Sequence, residues 1–253
     1  MSPIITVAIS TLGPRFDSID LPAQRQEISY LILVQKPDEV EHRGRFSNRS
    51  DVRVVDLDSI GLSRSRNAAL EHSQTDLIMV ADDDLKLDCD GILQACDFLS
   101  CNDDVAAITG MLKVESGGLR IQYASSSYEL NRTNCGRVMS AEIILRRGPL
   151  KQSNIVFDDR FGLGTECPSG EEYILLCDIL KAGLKAAFIP IVLAVHPDES
   201  TGTNWDDVRL VKARAKVISR VFGRMGLVYR ILYLIKHIRR IGYGKNAFRF
   251  LTA

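Results

Sequence analysis

Three consecutive carboxylates, Asp82-Asp83-Asp84, stand directly after the apolar run Leu77-Ile78-Met79-Val80-Ala81. Like charges in contact repel, and the end of a buried strand is partly desolvated. A divalent cation offsets both costs, and carboxylate oxygens of this kind suit Mg2+ or Mn2+. Upstream lies Gly61-Leu62-Ser63-Arg64-Ser65-Arg66-Asn67, which gathers two guanidinium groups and several short polar side chains; Asn67 precedes Asp82 by fifteen residues. A cation held at a strand end beside Arg64 and Arg66 fits a metal–nucleotide site. The alternative is an acidic solvated turn, with the arginines in salt bridges on a helix surface.

Two further groups could carry chemistry. Gly170-Glu171-Glu172-Tyr173 places a carboxylate pair at the start of a helix-like segment. One of them could act as a general base; equally, Ser169 and Glu172 have the spacing of a capping box. His196 follows the strand-like run Ile191–Val195 and opens the turn-rich segment Pro197-Asp198-Glu199-Ser200-Thr201-Gly202. Ser200 and Thr201 there could bond phosphate or simply cap the loop.

The elements that must position these groups alternate in type. Ile4–Ile9, Ser29–Val34, Val52–Val55, Leu77–Ala81 and Val105–Thr109 read as strands, the second and third as buried ones. Ser63 is a candidate N-cap for a helix through His72, and Asp90 for one to about Leu99. This alternation points to an α/β layered sheet. From about 110 to 148 the character changes: Ile121-Gln122-Tyr123 and Val138–Leu145 suggest strands around a Gly117-Gly118 turn, an antiparallel insertion beside a parallel sheet. Phe157–Gly170 is glycine-rich and reads as a loop. Glu171–Ala182 then reads as a helix and Ala186–Val195 as a strand.

The segments Gly61–Leu70 and Asp76–Asp84 resemble the signature of family 2 inverting glycosyltransferases, in which an Arg-Asn pair stands about this far ahead of an aspartate motif. The resemblance extends from Ile4 to about Gly202, with only those segments specific. It implies the GT-A fold, a Rossmann-like nucleotide-binding sheet, and residue roles. Asp84 and His196 would hold Mn2+ or Mg2+. Asp82, with Asp83 beside it, would serve the nucleotide, and Arg64, Arg66 and Asn67 would flank the diphosphate. Thr11, in the loop after the first strand, would pack near the base. The family often has an acidic residue after the second strand; this chain has Gln35, which could bond a base edge instead. Glu172 maps to the catalytic base, with Glu171 as its alternate, although the family usually has Asp there. Asp158 and Asp159 fall in the counterpart of the acceptor loop, whose glycines would let it close over the donor and exclude water. The implied reaction is transfer of a hexose or N-acetylhexosamine from a UDP-sugar to a sugar hydroxyl, with a glycan or lipid-linked glycan as acceptor.

The formal net charge is zero, but the charges are unevenly placed. Residues 208–253 hold 12 Lys/Arg and no Asp/Glu, leaving 20 basic and 32 acidic residues before them, a net of −12. The tail also carries apolar residues at helical spacing, with a break near Gly223 or Gly226, so it reads as one or two basic amphipathic helices. The chain divides accordingly into 1–207 as catalytic domain (donor half about 1–110, acceptor half about 111–207) and 208–253 as tail. An anionic membrane surface is the expected partner for the tail, the alternative being a helix packed on the body. Nucleic acid is not expected, since the acidic body would repel it. No apolar run reaches the ~18 residues of a membrane span, and the N-terminus reads as an opening strand, not a signal peptide. Six cysteines without a C-x-x-C pair suggest reduced thiols. The expected setting is the cytoplasmic face of a membrane, peripherally attached. Two rival classes are a sugar-nucleotide nucleotidyltransferase, against which the single glycine of Ser10–Arg15 counts, and a non-catalytic glycan- or membrane-binding module, which would need no base.

Overall fold

Branched and small side chains fill the run Ile5–Leu12, and such residues suit a pleated strand packed on both faces. A computed structural model, describing residues 2–198 and 207–252, makes this run strand β1. β2 (Ile28–Gln35) and then β3 (Val52–Leu57) lie parallel on one side of it, and β4 (Leu77–Asp82) lies parallel on the other. The strand order therefore reverses between β1 and β4, and the carboxyl ends of these two strands open the crevice where such sheets bind ligands. Ser10 stands opposite Asp82 in register, so the triple aspartate begins at that switch point.

Beyond β4 come antiparallel β8 (Ile143–Arg146) and then β6 (Val105–Val114), which pairs in parallel with β9 (Lys185–His196). Two-residue strands β5 (Lys86–Leu87) and β7 (Tyr128–Glu129) pair antiparallel with β9. The antiparallel element is thus woven into the sheet between β4 and β6, not laid beside it. Three strand expectations change. Ile121–Tyr123 is irregular, because Tyr123 spends its ring stacking on Phe188 and its hydroxyl on Glu142. Val138–Leu145 splits into a 3-10 turn at Ser140–Glu142 followed by β8. β3 is a sheet edge with no fully buried residue, in contrast to the buried strand expected there.

Alternation along β1 sends side chains to two faces. Ile5, Val7 and Ile9 meet Ile92, Ala95 and Leu99 of α2 (Cys89–Ser100). Ala8 on the opposite face joins Leu31, Leu33 and Ala69 of α1 (Leu62–His72). Farther along the sheet, Val80, Ala106 and Leu145 pack with Leu175, Leu176 and Ile179 of α4 (Glu171–Lys181), while α3 (Arg147–Gln152) contributes Leu150. Both caps differ from expectation by two residues. Asp88, not Asp90, caps α2 by accepting from Gly91 N at 3.0 Å. Gly61, not Ser63, is the N-cap of α1.

The tail forms α5 (Val208–Phe222), α6 (Gly226–Ile241) and α7 (Lys245–Thr252). The break between α5 and α6 falls at Gly223–Met225. α5 packs on the body, burying Ala213 and Val217 against Phe161, Cys167 and Ile174. Its other face joins α6 and α7 in a separate cluster of Val211, Ala215, Ile218, Leu234, Ile241 and Phe250. Among the described residues, no helix is long and apolar enough to cross a membrane.

Candidate active site

The three aspartates occupy three environments, set by where β4 ends. Asp82 is its last residue and half-buried, Asp83 is buried and Asp84 is exposed. Asp83 accepts from Thr11 Oγ1 at 2.6 Å and pairs with Arg15 at 2.6 Å. Burial pushes its carboxyl above the usual aspartate range, and Thr11 and Arg15 oppose that shift. Asp84 lies 3.1 Å from the same guanidinium, and its side chain is 38% exposed. Arg15 is a site residue that sequence reasoning does not single out. Its signal is there: a cation in the loop after β1, at the switch point that also holds the aspartates.

Arg66 is the hub of the site. It is 1% exposed, the largest fully buried side chain among the described residues. Its guanidinium reaches Glu171 at 2.6 Å, Ser140 Oγ at 2.6 Å and Asp82 at 3.2 Å. A planar fork of five donors can serve three acceptors in different directions, which an ammonium cannot. The acidic motif of β4 and the acidic pair of α4 are therefore joined through one buried cation.

The pair opens α4 without the capping box. Gly170, not Ser169, is the N-cap, with φ at +92°. A Cβ there would come within 2.6 Å of Val217 on α5, so glycine satisfies both the backbone and the close approach of the tail. Glu171 is buried against Arg66, and Glu172 is half-buried. Glu172 sits well above the ordinary glutamate range because it is desolvated and beside Glu171, with Arg66 pulling the other way. Oε2 of each carboxyl is buried with no hydrogen-bond partner.

The loop from Phe157 to Gly170 is hydrogen-bonded to α1 at several points. Leu163 O accepts from Leu62 N at 2.9 Å, and Phe161 O accepts from Ser63 Oγ at 2.6 Å. Asn67 exchanges two bonds with the backbone of Phe157, at 2.9 and 2.8 Å. Gly162, at φ +100°, lies so close that a Cβ would be 3.0 Å from Ser63 Oγ and 3.2 Å from the Glu171 carboxyl carbon. The glycines permit close packing here.

Several residues expected to meet the donor have protein partners in this structure. Thr11 gives its hydroxyl to Asp83. Gln35 is buried, with its carboxamide oxygen held by Gly61 N at 2.6 Å. Arg66, Asn67 and Asp83 likewise have protein partners. Arg64 remains exposed, 3.8 Å from Asp159, which is also exposed. Asp158 is not free for an acceptor: Arg160 and Arg220 hold it at 2.6 and 2.9 Å and bring its pKa down to about 2. Arg220 comes from the tail and has no legible signal in the sequence.

His196 ends β9, and the pairing of Lys86 with Val195 brings it alongside the chain just after Asp84. Its Nδ1 lies 2.6 Å from Pro197 O. A carbonyl can only accept, so Nδ1 is the donor, which leaves Nε2 as the ring nitrogen available to a metal. Asp84 and His196 are not drawn together with a third ligand. Among the described residues, the one such group of three is Asp17, Glu41 and His42. Mg2+ is commonly bound by one or two carboxylates plus substrate phosphates, so the exposed Asp84 and the Nε2 of His196 fit a cation shared with a nucleotide. Ser200 and Thr201 lie outside the described residues.

The profile of "Glycosyl transferase family 2" matches residues 38–155, which span β3, α1 and the aspartates and stop before the Glu171–Glu172 pair. No curated protein matches the chain. Solved structures share the fold at low identity. Residues 1–349 of S. aureus TarS in complex with UDP-GlcNAc align with a TM-score of 0.61 and 15% identity, over 94% of this chain and 73% of that one. The UDP complex of the same fragment gives 0.60 and 16%, over 94% and 72%. The mannosyltransferase PcManGT from Pyrobaculum calidifontis, in complex with GDP-Man and Mn2+, gives 0.56 and 15%, over 99% and 68%. The aspartate motif at the switch point, the matching profile and the shared scaffold agree: residues 38–155 match glycosyl transferase family 2, and the chain is a glycosyltransferase of GT-A fold.

Proposed function

We propose that the protein is an inverting, metal-dependent transferase that moves a hexose or N-acetylhexosamine from a UDP-sugar to a sugar hydroxyl of a glycan acceptor. The observation that carries this reading is the single buried guanidinium of Arg66, bonded on one side to Asp82 of the donor crevice and on the other to Glu171 beside Glu172. It places a carboxyl with a raised pKa next to the crevice. A base is most effective when its pKa lies near the operating pH, so burial and Glu171 prepare Glu172 for that task. Glu172 takes the proton of the acceptor hydroxyl as that oxygen attacks the anomeric carbon from the face opposite the nucleotide. Asp82 and Arg64 flank the donor, and Asp84 with His196 holds Mn2+ or Mg2+. The cation, when bound, neutralises charge on the diphosphate leaving group. TarS with UDP-GlcNAc and PcManGT with GDP-Man and Mn2+ support a nucleotide-sugar donor and a divalent cation on this scaffold.

Residues 1–207 form the catalytic part in this reading, and 208–253 its attachment to an anionic membrane at the cytoplasmic face. The tail divides the work: α5 packs on the body, whereas α6 exposes Leu227, Val228, Ile231, Leu232 and Ile235 on one face. Lys236, Arg239 and Arg240 share that helix, the composition of an interfacial segment. A lipid-linked glycan is then the acceptor within reach. The test is a screen of nucleotide sugars for transfer and for hydrolysis without acceptor, in Mn2+ and in EDTA, with the product anomer read by NMR. A β product from an α-linked UDP-sugar is expected; retention of configuration would overturn the inverting mechanism.

A further inference from the structure

The loop after β1 brings a cation to the aspartate motif on an anchored backbone. It is a 3-10 turn, Gly13–Ser18, with Pro14 near its start. A Cβ on Gly13 would lie 2.2 Å from Lys36 O, so the turn is seated against the chain just past β2 and only glycine fits there. Phe16 is buried and meets Phe46 edge-on, with ring centroids 5.4 Å apart. Ser18 Oγ donates to Arg15 O at 2.7 Å. The Arg15 side chain, by contrast, is 50% exposed.

Its guanidinium spends one nitrogen on two carboxylates. Nη2 lies 2.6 Å from Asp83 Oδ1 and 3.1 Å from Asp84 Oδ2. Among the described residues, every side-chain bond of Arg15 runs from that nitrogen, so the donors on Nε and Nη1 are unspent. The two aspartates do not hold it alike. Asp83 is buried and keeps a second donor, Thr11 Oγ1 at 2.6 Å. Asp84 is exposed and is the contact the guanidinium can give up at least cost.

Asp84 is also the carboxylate assigned to the divalent cation. That cation and Arg15 together carry three positive charges, against the two negative charges of Asp83 and Asp84; Asp82 is already bonded to Arg66. Two cations on one carboxylate repel each other. A diphosphate reverses the balance. It brings two or more further negative charges, and oxygens that accept the N–H donors of a guanidinium.

We propose that Arg15 guards Asp84: it competes with a cation that arrives without nucleotide, and it yields Asp84 when a diphosphate arrives to take its unspent donors. Arg15 is thus a positioning residue that couples the cation to the donor. It favours donors with two linked phosphates. The proposal rests on the metal-dependent transferase reading given above.

The experiment uses the full chain and reads binding, not turnover. Mn2+ is titrated with and without UDP, and free Mn2+ is counted by electron paramagnetic resonance against a protein-free series with the same UDP. The parent is expected to bind Mn2+ at least tenfold more tightly with UDP; equal affinity overturns the proposal without any variant. Arg15→Gln and Arg15→Met remove the competing charge, and thermal melts confirm their fold. Both are expected to bind Mn2+ alone at least fivefold more tightly than the parent, and UDP in Mn2+ at least fivefold more weakly. Arg15→Lys keeps the charge and is expected to stay within twofold of the parent with Mn2+ alone. A merely structural role would weaken Mn2+ binding, so unchanged or weaker binding in the neutral variants overturns the proposal. The transferase reading survives that result as long as the parent takes Mn2+ with UDP. A parent that takes no Mn2+ with or without UDP contradicts both.

Discussion

Arg66 and Glu171 lie 105 positions apart in sequence and meet at 2.6 Å inside the protein, with Asp82 bonded to the same guanidinium. The helix that opens beside Glu172 is thereby fixed to the strand that ends in the aspartates. A buried ion pair of this kind is a weak source of net stability, but removing one partner leaves uncompensated charge in a dry place.

Arg66→Met should therefore destabilise the protein by about 3–5 kcal/mol. Arg66→Lys should recover only part of that loss, since one ammonium cannot serve Glu171, Ser140 and Asp82 together. Urea unfolding of the three proteins checks this. A loss under ~1 kcal/mol for Arg66→Met would show that the network is not a structural hub.

Glu171 raises the pKa of Glu172. Removing that charge with Glu171→Gln should bring Glu172 down, so the acid limb of the kcat/KM profile should move to lower pH. The folding linkage has the opposite slope from an ordinary carboxylate. A group whose folded pKa is raised contributes stability that is present below its unfolded value and lost as pH rises through the folded value. Stability should thus fall across that window in the parent and stay flatter in Glu172→Gln. A limb that moves upward in Glu171→Gln contradicts the coupling.

Much of the donor side is legible in the residue order alone. A buried strand followed by charges is a local pattern, and Arg66-Asn67 fifteen residues upstream marks the helix that follows β3. Residue order does not disclose which polar atoms are consumed internally. Gln35, Thr11 and Asn67 are the right residue types for a nucleotide site. Their partners are a backbone N–H, a buried carboxylate and a loop carbonyl that come from distant segments. The capping-box spacing at Ser169 misleads for a related reason: α5 approaches so closely that only Gly170 fits at the cap. The antiparallel β8 is four residues long, too short for a period to declare itself.

Asp158 ties the tail to the body. Its pKa is held near 2 by Arg160 first and Arg220 second, against an ordinary 3.8. A depressed pKa contributes stability that is present above the unfolded value and lost as pH falls through the folded one. After solvent screening this amounts to about 1–2 kcal/mol between pH ~4 and ~2. Arg220→Ala should shrink that acid-dependent loss and loosen α5, read as faster hydrogen exchange at Ala213 and Val217. Unchanged acid stability would contradict the assignment.

The apolar face of α6 should bind vesicles without supporting the fold. Ile235 is 68% exposed and Leu232 56%. The double variant Leu232→Asp, Ile235→Asp should lose co-sedimentation with anionic vesicles, while its stability changes by no more than about 0.5 kcal/mol per site. Vesicle binding equal to that of the parent would remove α6 from the membrane surface.

The central claim is that Glu172 is the base and Asp84 the metal-side carboxylate of one site. The direct measurement is transfer from UDP-sugar by Glu172→Gln, with UDP binding in Mn2+ measured on the same preparation. The account predicts transfer reduced by roughly 10²–10⁴ with UDP affinity retained, and the converse for Asp84→Ala, in which Mn2+-dependent UDP binding weakens. Transfer at parental rates in Glu172→Gln, with the fold intact, would contradict it.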